Sequence, residues 1–352
     1  MKNLFRAGMI LLFLGSGLIT QNSHAEEINV YIWSEYIDPE MVTDFEKNTG
    51  IKVNLSLYES SEEMLAKIQY AGGASQYDVV VVSNMMVPLM SRLELLKPLD
   101  HTQIPNRKNL EAEFLNPSYD PKTKYSLAYQ WGTVGLMYNK AKFPNLDPSW
   151  SVILDRKKEV GTFILLDEMR DQLGVALVYL GYSSNTTDTE QVKKAGQLLI
   201  DAKKSPNAQG FEGGVGGKNR VASGAVDMAV VWNGDALRAI SEDENDQFAY
   251  IVPREGSIVW ADVMAIPIKA PNTSGAHKFI NYILDAKVGA QLSTYTEYAS
   301  PNKASKKLLD KETLENPVLY PPASAMKKLE YQQDVGKHTQ LYDVVWTAVK
   351  SQ

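Results

Sequence analysis

The chain has 352 residues, with 36 Lys and Arg, 42 Asp and Glu, a formal net charge of −6 and no Cys. The absence of Cys excludes disulfides and thiolate metal ligands, so the fold must depend on its hydrophobic core. The excess of acidic residues disfavours nucleic acid and anionic lipid as partners and favours a cationic ligand.

The first 25 residues have the pattern of a secretory signal peptide. Lys2 and Arg6 precede an apolar run from Ala7 to Thr20, and small residues surround the predicted cleavage point after Ala25. The apolar run is interrupted by glycines and is shorter than a membrane-spanning helix requires. We therefore expect a periplasmic protein of 327 residues, which is 352 minus 25. Its formal charge is −8, because two cations and no acids leave with the signal peptide.

The next part of the chain alternates strands with helices. Three strands are predicted, at 28–33, 51–58 and 77–82. Asp38 caps a first helix that begins at Pro39 and ends near Gly50, and a capping box at 60–63 begins a second that ends near Gly72-Gly73. This order predicts a βαβαβ unit with a parallel sheet, in which ligands bind at the carboxyl ends of the strands.

Two of these strands end in residues that can contact a ligand. The first is followed by Ser34-Glu35-Tyr36, after its last residue Trp33, and the third is followed by Ser83-Asn84-Met85. An indole, a carboxylate and a phenol therefore meet at one predicted strand end. The alternative is that Trp33 is an ordinary core aromatic at the end of a strand.

The alternating stretch at 129–139 contains glycines at which a strand can bend, and we interpret it as the crossing to a second lobe. There a strand at 162–166 leads into a helix whose first turn carries Glu168 and Asp171. A second apolar strand ends at Trp232. Acidic residues in a first helical turn are also common for a simpler reason, because they complement the positive end of the helix dipole.

The stretch 257–267 places an aromatic residue and an acidic residue on one strand. In an extended strand alternate side chains share a face, so Trp260 and Asp262 point the same way. An indole face and a carboxylate together can hold a cation. The alternative is a strand end with a partly buried Trp and a solvated Asp.

Strand ends in both halves of the chain thus supply aromatic rings and acids. Such a combination suits a long, flexible polycation, whose methylene segments lie on rings while its ammonium groups meet carboxylates. The aromatic residues are Trp33, Tyr36, Trp232, Trp260 and Tyr298, and the acids are Glu35, Glu168, Asp171 and Asp262.

The same residues carry a resemblance to a known family. The chain resembles the periplasmic spermidine/putrescine-binding proteins of ABC transporters, in order and over essentially all of the mature sequence. The motifs that carry the resemblance are Trp33-Ser34-Glu35-Tyr36, Tyr58-Glu59-Ser60, Tyr77-Asp78-Val79-Val80, Asp167-Glu168-Met169-Arg170-Asp171, Leu180-Gly181-Tyr182-Ser183, Trp232-Asn233-Gly234, Trp260-Ala261-Asp262, Ala265-Ile266-Pro267, Ser300-Pro301-Asn302 and Gln333-Asp334-Val335-Gly336.

The resemblance implies an α/β, two-lobe periplasmic-binding-protein fold. Each lobe has a mixed, mainly parallel sheet flanked by helices, and crossover strands form a hinge. Lobe 1 is expected at 26–132 with 259–305, and lobe 2 at 133–258 with 306–352. The lobes are expected to close over one polyamine, in a monomer that meets an inner-membrane permease.

The resemblance also implies roles for individual residues. Four aromatic residues wall the site, namely Trp33, Tyr36, Trp232 and Trp260. Three acids bind nitrogens, namely Glu168, Asp171 and Asp262. The remaining polar contacts come from Ser34, Glu35, Ser83, Tyr298 and Gln332.

Two features depart from the family pattern. Met85 stands where the spermidine-binding pattern has a tyrosine, and a glycine-rich segment at 211–218 replaces an asparagine-rich one. Because acids from both lobes lie at separated strand ends, a ligand with three amino groups can satisfy them all, and the predicted ligand is a triamine of the spermidine or norspermidine class. The two departures leave its length open.

Two other functions are alternatives to polyamine transport. An enzyme is disfavoured because the four histidines have no metal-ligand spacing and the glycine-rich segment lacks the pattern of a phosphate loop. We expect no catalysis, no cofactor and no metal. The other alternative keeps the fold and makes the protein a periplasmic sensor of norspermidine or spermidine that regulates a membrane signalling receptor, such as a cyclic-dinucleotide enzyme.

Overall fold

The structure is a computed structural model and describes residues 26–70, 75–158 and 160–352. The predicted signal peptide and the predicted helix end at Gly72-Gly73 lie outside the described residues.

The strands of the described residues are β1 Glu27–Trp33, β2 Lys52–Tyr58, β3 Val79–Ser83, β4 Ser126–Asn139, β5 Phe163–Leu166, β6 Ala208–Glu212, β7 Met228–Trp232, β8 Phe248–Ile251, β9 Ser257–Ala265 and β10 Leu329–Tyr331. The predicted strands are all present, with their ends at the predicted residues or within three residues of them.

The first helices are α1 Pro39–Thr49, α2 Ser61–Tyr70, α3 Met86–Arg92, α4 Ala112–Leu115, α5 Ser151–Leu154, α6 Met169–Tyr179, α7 Thr189–Lys203 and α8 Gly216–Ala222. The later ones are α9 Asn233–Ser241, α10 Thr273–Ile283, α11 Ala286–Thr296, α12 Lys303–Lys306, α13 Lys311–Glu315, α14 Ala323–Met326 and α15 Thr339–Ser351. Within the described ranges, no helix has the length and apolar character needed to cross a membrane.

The predicted βαβαβ unit is confirmed. β1 pairs in parallel with both β2 and β3, and α1 and α2 make the connections. The Asp38 side chain accepts a hydrogen bond from the Glu40 amide, and Gly50 ends α1 with a φ of 72°, which a residue without a Cβ adopts at little cost. The carboxyl ends of β1 and β3 therefore lie at the same edge of the sheet.

One continuous mixed sheet runs through the molecule in the order β2-β1-β3-β9-β4-β7-β5-β6, with β10 beside β9 and β8 beside β4. The long strand β4 belongs to both halves of it. Residues 126–133 of β4 pair with β9, whereas residues 134–139 pair with β7 and β8. Helices cover the sheet, which gives the α/β architecture expected from the sequence.

β9 is the strand that brings the parts of the site together. It runs antiparallel to β3, where Asp262 is opposite Ser83, and antiparallel to β4, where Trp260 is opposite Gly132. It also pairs in parallel with β10, and Gln332 follows directly after that strand. Every residue of β9 is buried.

Candidate ligand-binding site

A cavity lies where these strand ends converge, and the space in and at its mouth that protein atoms do not fill is about 510 Å³, including space open to solvent. Eleven of the twelve residues predicted to contact the ligand line it. They are Trp33, Ser34, Tyr36, Ser83, Glu168, Asp171, Trp232, Trp260, Asp262, Tyr298 and Gln332. The cavity also has lining residues that the prediction did not include, namely Ser61, Met85, Gly214, Val215 and Asp235.

Glu35 is the predicted residue that the structure does not place in the cavity wall. Its carboxylate accepts a hydrogen bond from the Lys218 ammonium at 2.7 Å, and its side chain remains 40% exposed. The sequence pattern gave no sign of this pairing, because the two residues are 183 positions apart.

Five aromatic rings make a continuous wall. The ring centroids of Trp33 and Trp232 are 5.5 Å apart, and Trp260 follows at 6.4 Å from Trp232. Tyr298 lies 5.1 Å from Trp260, and Tyr36 meets Tyr298 at 5.3 Å. All four contacts are edge-to-face, the arrangement that ring quadrupoles favour. Among the described residues, no Lys or Arg lies over any of these five rings.

The position of Trp260 depends on a glycine in the neighbouring strand. A Cβ at Gly132 would lie 2.7 Å from the indole of Trp260 and 2.2 Å from the Asn233 side-chain oxygen. That oxygen accepts a hydrogen bond from the Thr133 amide at 2.9 Å. Any larger residue at 132 would therefore displace the ring from the cavity wall.

Asp171 is held in place by two neighbours that also line the cavity. One carboxylate oxygen accepts a hydrogen bond from the Trp232 indole at 2.7 Å, and the other accepts one from the Gln332 amide. Gln332 is itself fixed by the β9 backbone and by Asn84, which donates to its carbonyl at 3.1 Å. Burial raises the pKa of Asp171 to about 6, although both hydrogen bonds oppose the rise.

Glu168 reaches across the cavity towards α2. One of its oxygens accepts a hydrogen bond from the Ser61 amide at 3.1 Å, and the other has no hydrogen-bond partner among the described residues. Burial raises the pKa of Glu168 well above its usual value, and the charges of Glu62 and Asp171 add to the rise.

Asp262 is buried, with 6% of its surface exposed, so the alternative of a solvated acid beside Trp260 does not hold. Burial raises its pKa to about 7. The charge of Asp171 also contributes, which places both carboxylates in one electrostatic environment.

Asp235 was missed by the sequence prediction. It lies in the first turn of α9, directly after β7, and its pKa is raised to about 7, chiefly by burial. Glu168 and Asp171 hold the corresponding place after β5, as the N-cap and a first-turn residue of α6. The same rule of an acid just after a strand end would therefore have found it.

Several polar atoms of the cavity wall are buried without a hydrogen-bond partner among the described residues. They are the indole nitrogens of Trp33 and Trp260, the hydroxyls of Tyr36 and Ser83, and Oε1 of Glu168. Buried polar groups in proteins are nearly always paired, so a cluster of unpaired ones in a single cavity indicates a site built for a polar ligand.

The acidic residues of the site indicate that its ligand is a cation. None of the four cavity acids forms an ion pair within the described part of the chain. Burying an ionised acid without a partner is costly, and a bound cation removes that cost. No group of acids or histidines with the arrangement of a metal site is found in the described residues. Aromatic walls with separated carboxylates instead fit an organic ammonium compound.

Comparison with known proteins agrees with this chemistry. Residues 40–321 match the family described as bacterial extracellular solute-binding protein. The chain is 35% identical over 328 residues to the spermidine/putrescine-binding periplasmic protein 1 of Haemophilus influenzae, covering 93% of this chain and 89% of that protein. It is 34% identical over 355 residues to the spermidine/putrescine-binding periplasmic protein of Escherichia coli K12, covering 99% and 98%.

A solved structure gives the same result for the fold. A Listeria monocytogenes protein named after a spermidine/putrescine ABC transporter superposes with a TM-score of 0.85 at 35% identity, covering 93% of this chain and 99% of that one. The predicted resemblance, the predicted fold class and the location outside the cytoplasm are confirmed. The chain belongs to the bacterial extracellular solute-binding proteins and, within them, to the family of the periplasmic spermidine/putrescine-binding proteins.

Proposed function

We propose that this protein binds a polyamine in the periplasm, closes around it and presents it to the membrane components of an ABC transporter for uptake. The observation that carries the proposal is the cavity in which five aromatic rings face four carboxylates without ion pairs. The names of the relatives support the same ligand class. We infer no catalytic activity, because ligand capture and release are sufficient for this role.

Aromatic and acidic residues of the cavity contact different parts of a polyamine. The rings of Trp33, Trp232 and Trp260 offer apolar faces to the methylene segments, and the carboxylates accept hydrogen bonds from the ammonium groups. Ser34, Ser83 and Gln332 complete the polar contacts at the cavity wall.

The proposed mechanism is closure of two lobes about β4. The lobes comprise 26–132 with 259–305 and 133–258 with 306–352. Supporting contacts cross between them at the cavity, for example Glu168 with the Ser61 amide. A ligand that contacts both lobes shifts the population towards the closed form.

Closure predicts a change in overall dimensions. Because the ligand-free protein opens, adding saturating spermidine should reduce the radius of gyration measured by small-angle X-ray scattering. The matched control is the Asp262→Asn variant at the same spermidine concentration, which should stay open. An unchanged scattering profile for the wild type at saturation would argue for a rigid, preformed pocket.

We propose a triamine as the preferred ligand. Glu168, Asp171 and Asp262 are three buried acids, and a diamine would leave one of them without a cation, at a cost of about 1–3 kcal/mol. Asp235, the fourth cavity acid, is instead compensated in part by the charge of Lys218, which opposes the rise of its pKa. Norspermidine is proposed to bind at least as well as spermidine, because the flexible thioether of Met85 packs around a shorter chain.

Calorimetric competition among norspermidine, spermidine and putrescine tests both this ranking and the proposed function. Both triamines should bind about tenfold or more tightly than putrescine. Putrescine binding as tightly as the triamines would contradict the triamine proposal, and a strong preference for spermidine would remove the role of Met85. If no polyamine binds, the proposed function itself is wrong.

The raised carboxyl pKa values predict a pH dependence with opposite signs in the free and bound protein. Asp262 and Asp171 have folded pKa values of about 7 and about 6, whereas a free Asp has about 3.9. Their contribution to the stability of the free protein is present below about pH 4 and is lost as pH rises through 6 to 7. Bound ammonium groups favour the ionised acids, so affinity should rise over that window.

Thermal melts with and without spermidine between about pH 5.5 and pH 8 measure both effects. Asp171 and Asp262 should make the free protein less stable as the pH rises towards 8, while the increase in Tm caused by spermidine becomes larger. A ligand-induced increase in Tm that does not change with pH would contradict ammonium–carboxylate recognition.

The proposed partner is the permease of the transporter, met by a monomer of this protein. The relatives support this choice, because their names place them among polyamine-binding proteins and one structure is named after an ABC transporter. Permease and ATPase genes beside the gene for this protein are the expected finding, and a gene for a cyclic-dinucleotide enzyme in their place would favour the sensor function.

A further inference from the structure

Lys218 forms an ion pair beside the binding cavity that the proposed function does not use. Only 7% of its side chain is exposed, and its ammonium donates to Glu35 at 2.7 Å. Lys218 lies on α8, whose Gly217 packs against Val231 of β7, whereas Glu35 follows β1. The ion pair therefore joins the two halves of the sheet at one end of the cavity.

The carboxylate that Lys218 contacts adjoins the ligand site. Glu35 stands between Ser34 and Tyr36, both of which line the cavity. Its backbone φ is 54°, a left-handed conformation that residues with a Cβ rarely adopt, so the fold holds it in an unusual position. Lys218 is also the strongest of the charges that oppose the raised pKa of Asp235, another residue of the cavity wall.

The side chain of Lys218 has the same chemical groups as one end of the proposed ligand. A lysine side chain is a primary ammonium group on a chain of four methylenes, and the end of an aliphatic polyamine is the same group on a similar chain. A carboxylate near the end of the cavity is a natural partner for a terminal ammonium group of the ligand. In this chain the protein supplies that ammonium group from its own α8.

The Lys218 pair differs from the ion pairs on the surface. The side chains of Lys140 and Lys142 are 35% and 57% exposed in their pairs with Asp246 and Asp227. Exposed pairs of that kind contribute little. Withdrawing the ammonium of Lys218 from water carries a desolvation cost that only a fixed anion offsets. Glu35 provides that anion.

We propose that Lys218 is an internal end cap, whose ammonium group occupies the carboxylate that would otherwise receive a fourth amino group and so limits the ligand to a triamine. This inference rests on the proposed polyamine-binding function. It agrees with the position of Glu35 outside the cavity wall, where its carboxylate accepts the hydrogen bond of Lys218 at 2.7 Å and the same oxygen lies 3.9 Å from Nη1 of Arg238.

Removing the ammonium group while keeping the methylene chain tests the end cap. Spermine, a tetramine, and spermidine are titrated by calorimetry into the wild type and into Lys218→Met. The ratio of spermine to spermidine affinity should rise by about tenfold in the variant, as expected for one added hydrogen bond between charged groups. The double variant Glu35→Gln/Lys218→Met should lose this gain, because the carboxylate that Lys218 occupied in the wild type is then absent.

Lys140→Met is the matched control, because it removes an exposed lysine from an ion pair away from the cavity and should leave the ratio unchanged. The wild type supplies a test that does not depend on the folding of any variant. In it, spermine must bind about tenfold or more weakly than spermidine, and equal affinity would overturn the end cap.

The remaining outcomes separate the two proposals. Spermidine binding to the wild type, with an unchanged ratio in Lys218→Met, would overturn the end cap and leave the proposed function intact. An equal loss of affinity for both ligands would show that Lys218 only holds the two halves together, and would also overturn it. Failure of the wild type to bind any polyamine would overturn the proposed function and the end cap with it.

Discussion

Replacing Asp262 by Asn is expected to weaken spermidine binding by about 2–5 kcal/mol, the effect of removing one partner from a buried pair of charges. Asp262 is 6% exposed and lies on β9, opposite Ser83. Asn has nearly the same shape but carries no charge, so an ammonium group beside it loses its counterion in a site with little water. Calorimetric titration at pH 8, where the acid is ionised, measures the loss.

The stability of the free protein distinguishes this effect from unfolding. Because burial raises the pKa of Asp262 to about 7, the ionised acid disfavours the folded state at pH 8. Asp262→Asn should therefore leave the Tm of the free protein unchanged or higher while affinity falls. Asp246→Asn, in an exposed ion pair, is the control that should alter neither quantity. Undiminished spermidine affinity in Asp262→Asn would show that Asp262 does not bind the ligand.

The parts of the site that could be predicted from the sequence follow from local periodicity and parallel topology. The two-residue period of a strand places Trp260 and Asp262 on one face, and both line the cavity. The βαβαβ order brings the carboxyl ends of β1 and β3 to one edge, which places Trp33 beside Ser83 in the same wall. These relations need no knowledge of distant parts of the chain.

The parts that could not be predicted depend on long-range packing. Glu35 has the same local sequence signal as its neighbours, yet it is neutralised by a lysine 183 positions away. Gln332 was predicted through the family resemblance alone, because it reaches the site through β10, a strand of three residues that is too short to show any periodicity. Asp235 is a different case, because its position after β7 carries a local signal and the prediction simply did not apply it.

The burial of Trp260 changes what its removal is expected to do. The sequence pattern permitted a strand-end residue that could be lost without harm to the fold. The structure places Trp260 in the middle of β9, 6% exposed, with its indole against Gly132 and 5.1 Å from the ring of Tyr298. The same ring is therefore part of the core and part of the cavity wall.

Trp260→Ala should weaken spermidine binding by about 1–4 kcal/mol, through lost apolar contact and lost attraction between the ammonium group and the ring face. It should also lower the Tm of the free protein, because truncating a buried aromatic leaves a cavity. Titration at a temperature well below that Tm measures the affinity of folded protein alone. Trp260→Phe, which keeps a ring, should recover part of both losses.

Trp346→Ala provides the matched control for this prediction. Trp346 lies on α15, is 9% exposed and packs against Phe211 outside the cavity. Its loss should lower the Tm by a similar mechanism while spermidine affinity stays within about twofold of the wild type. If Trp260→Ala and Trp346→Ala lower the Tm alike and neither changes the affinity, Trp260 is a core residue only. The aromatic wall would then not be what holds the ligand.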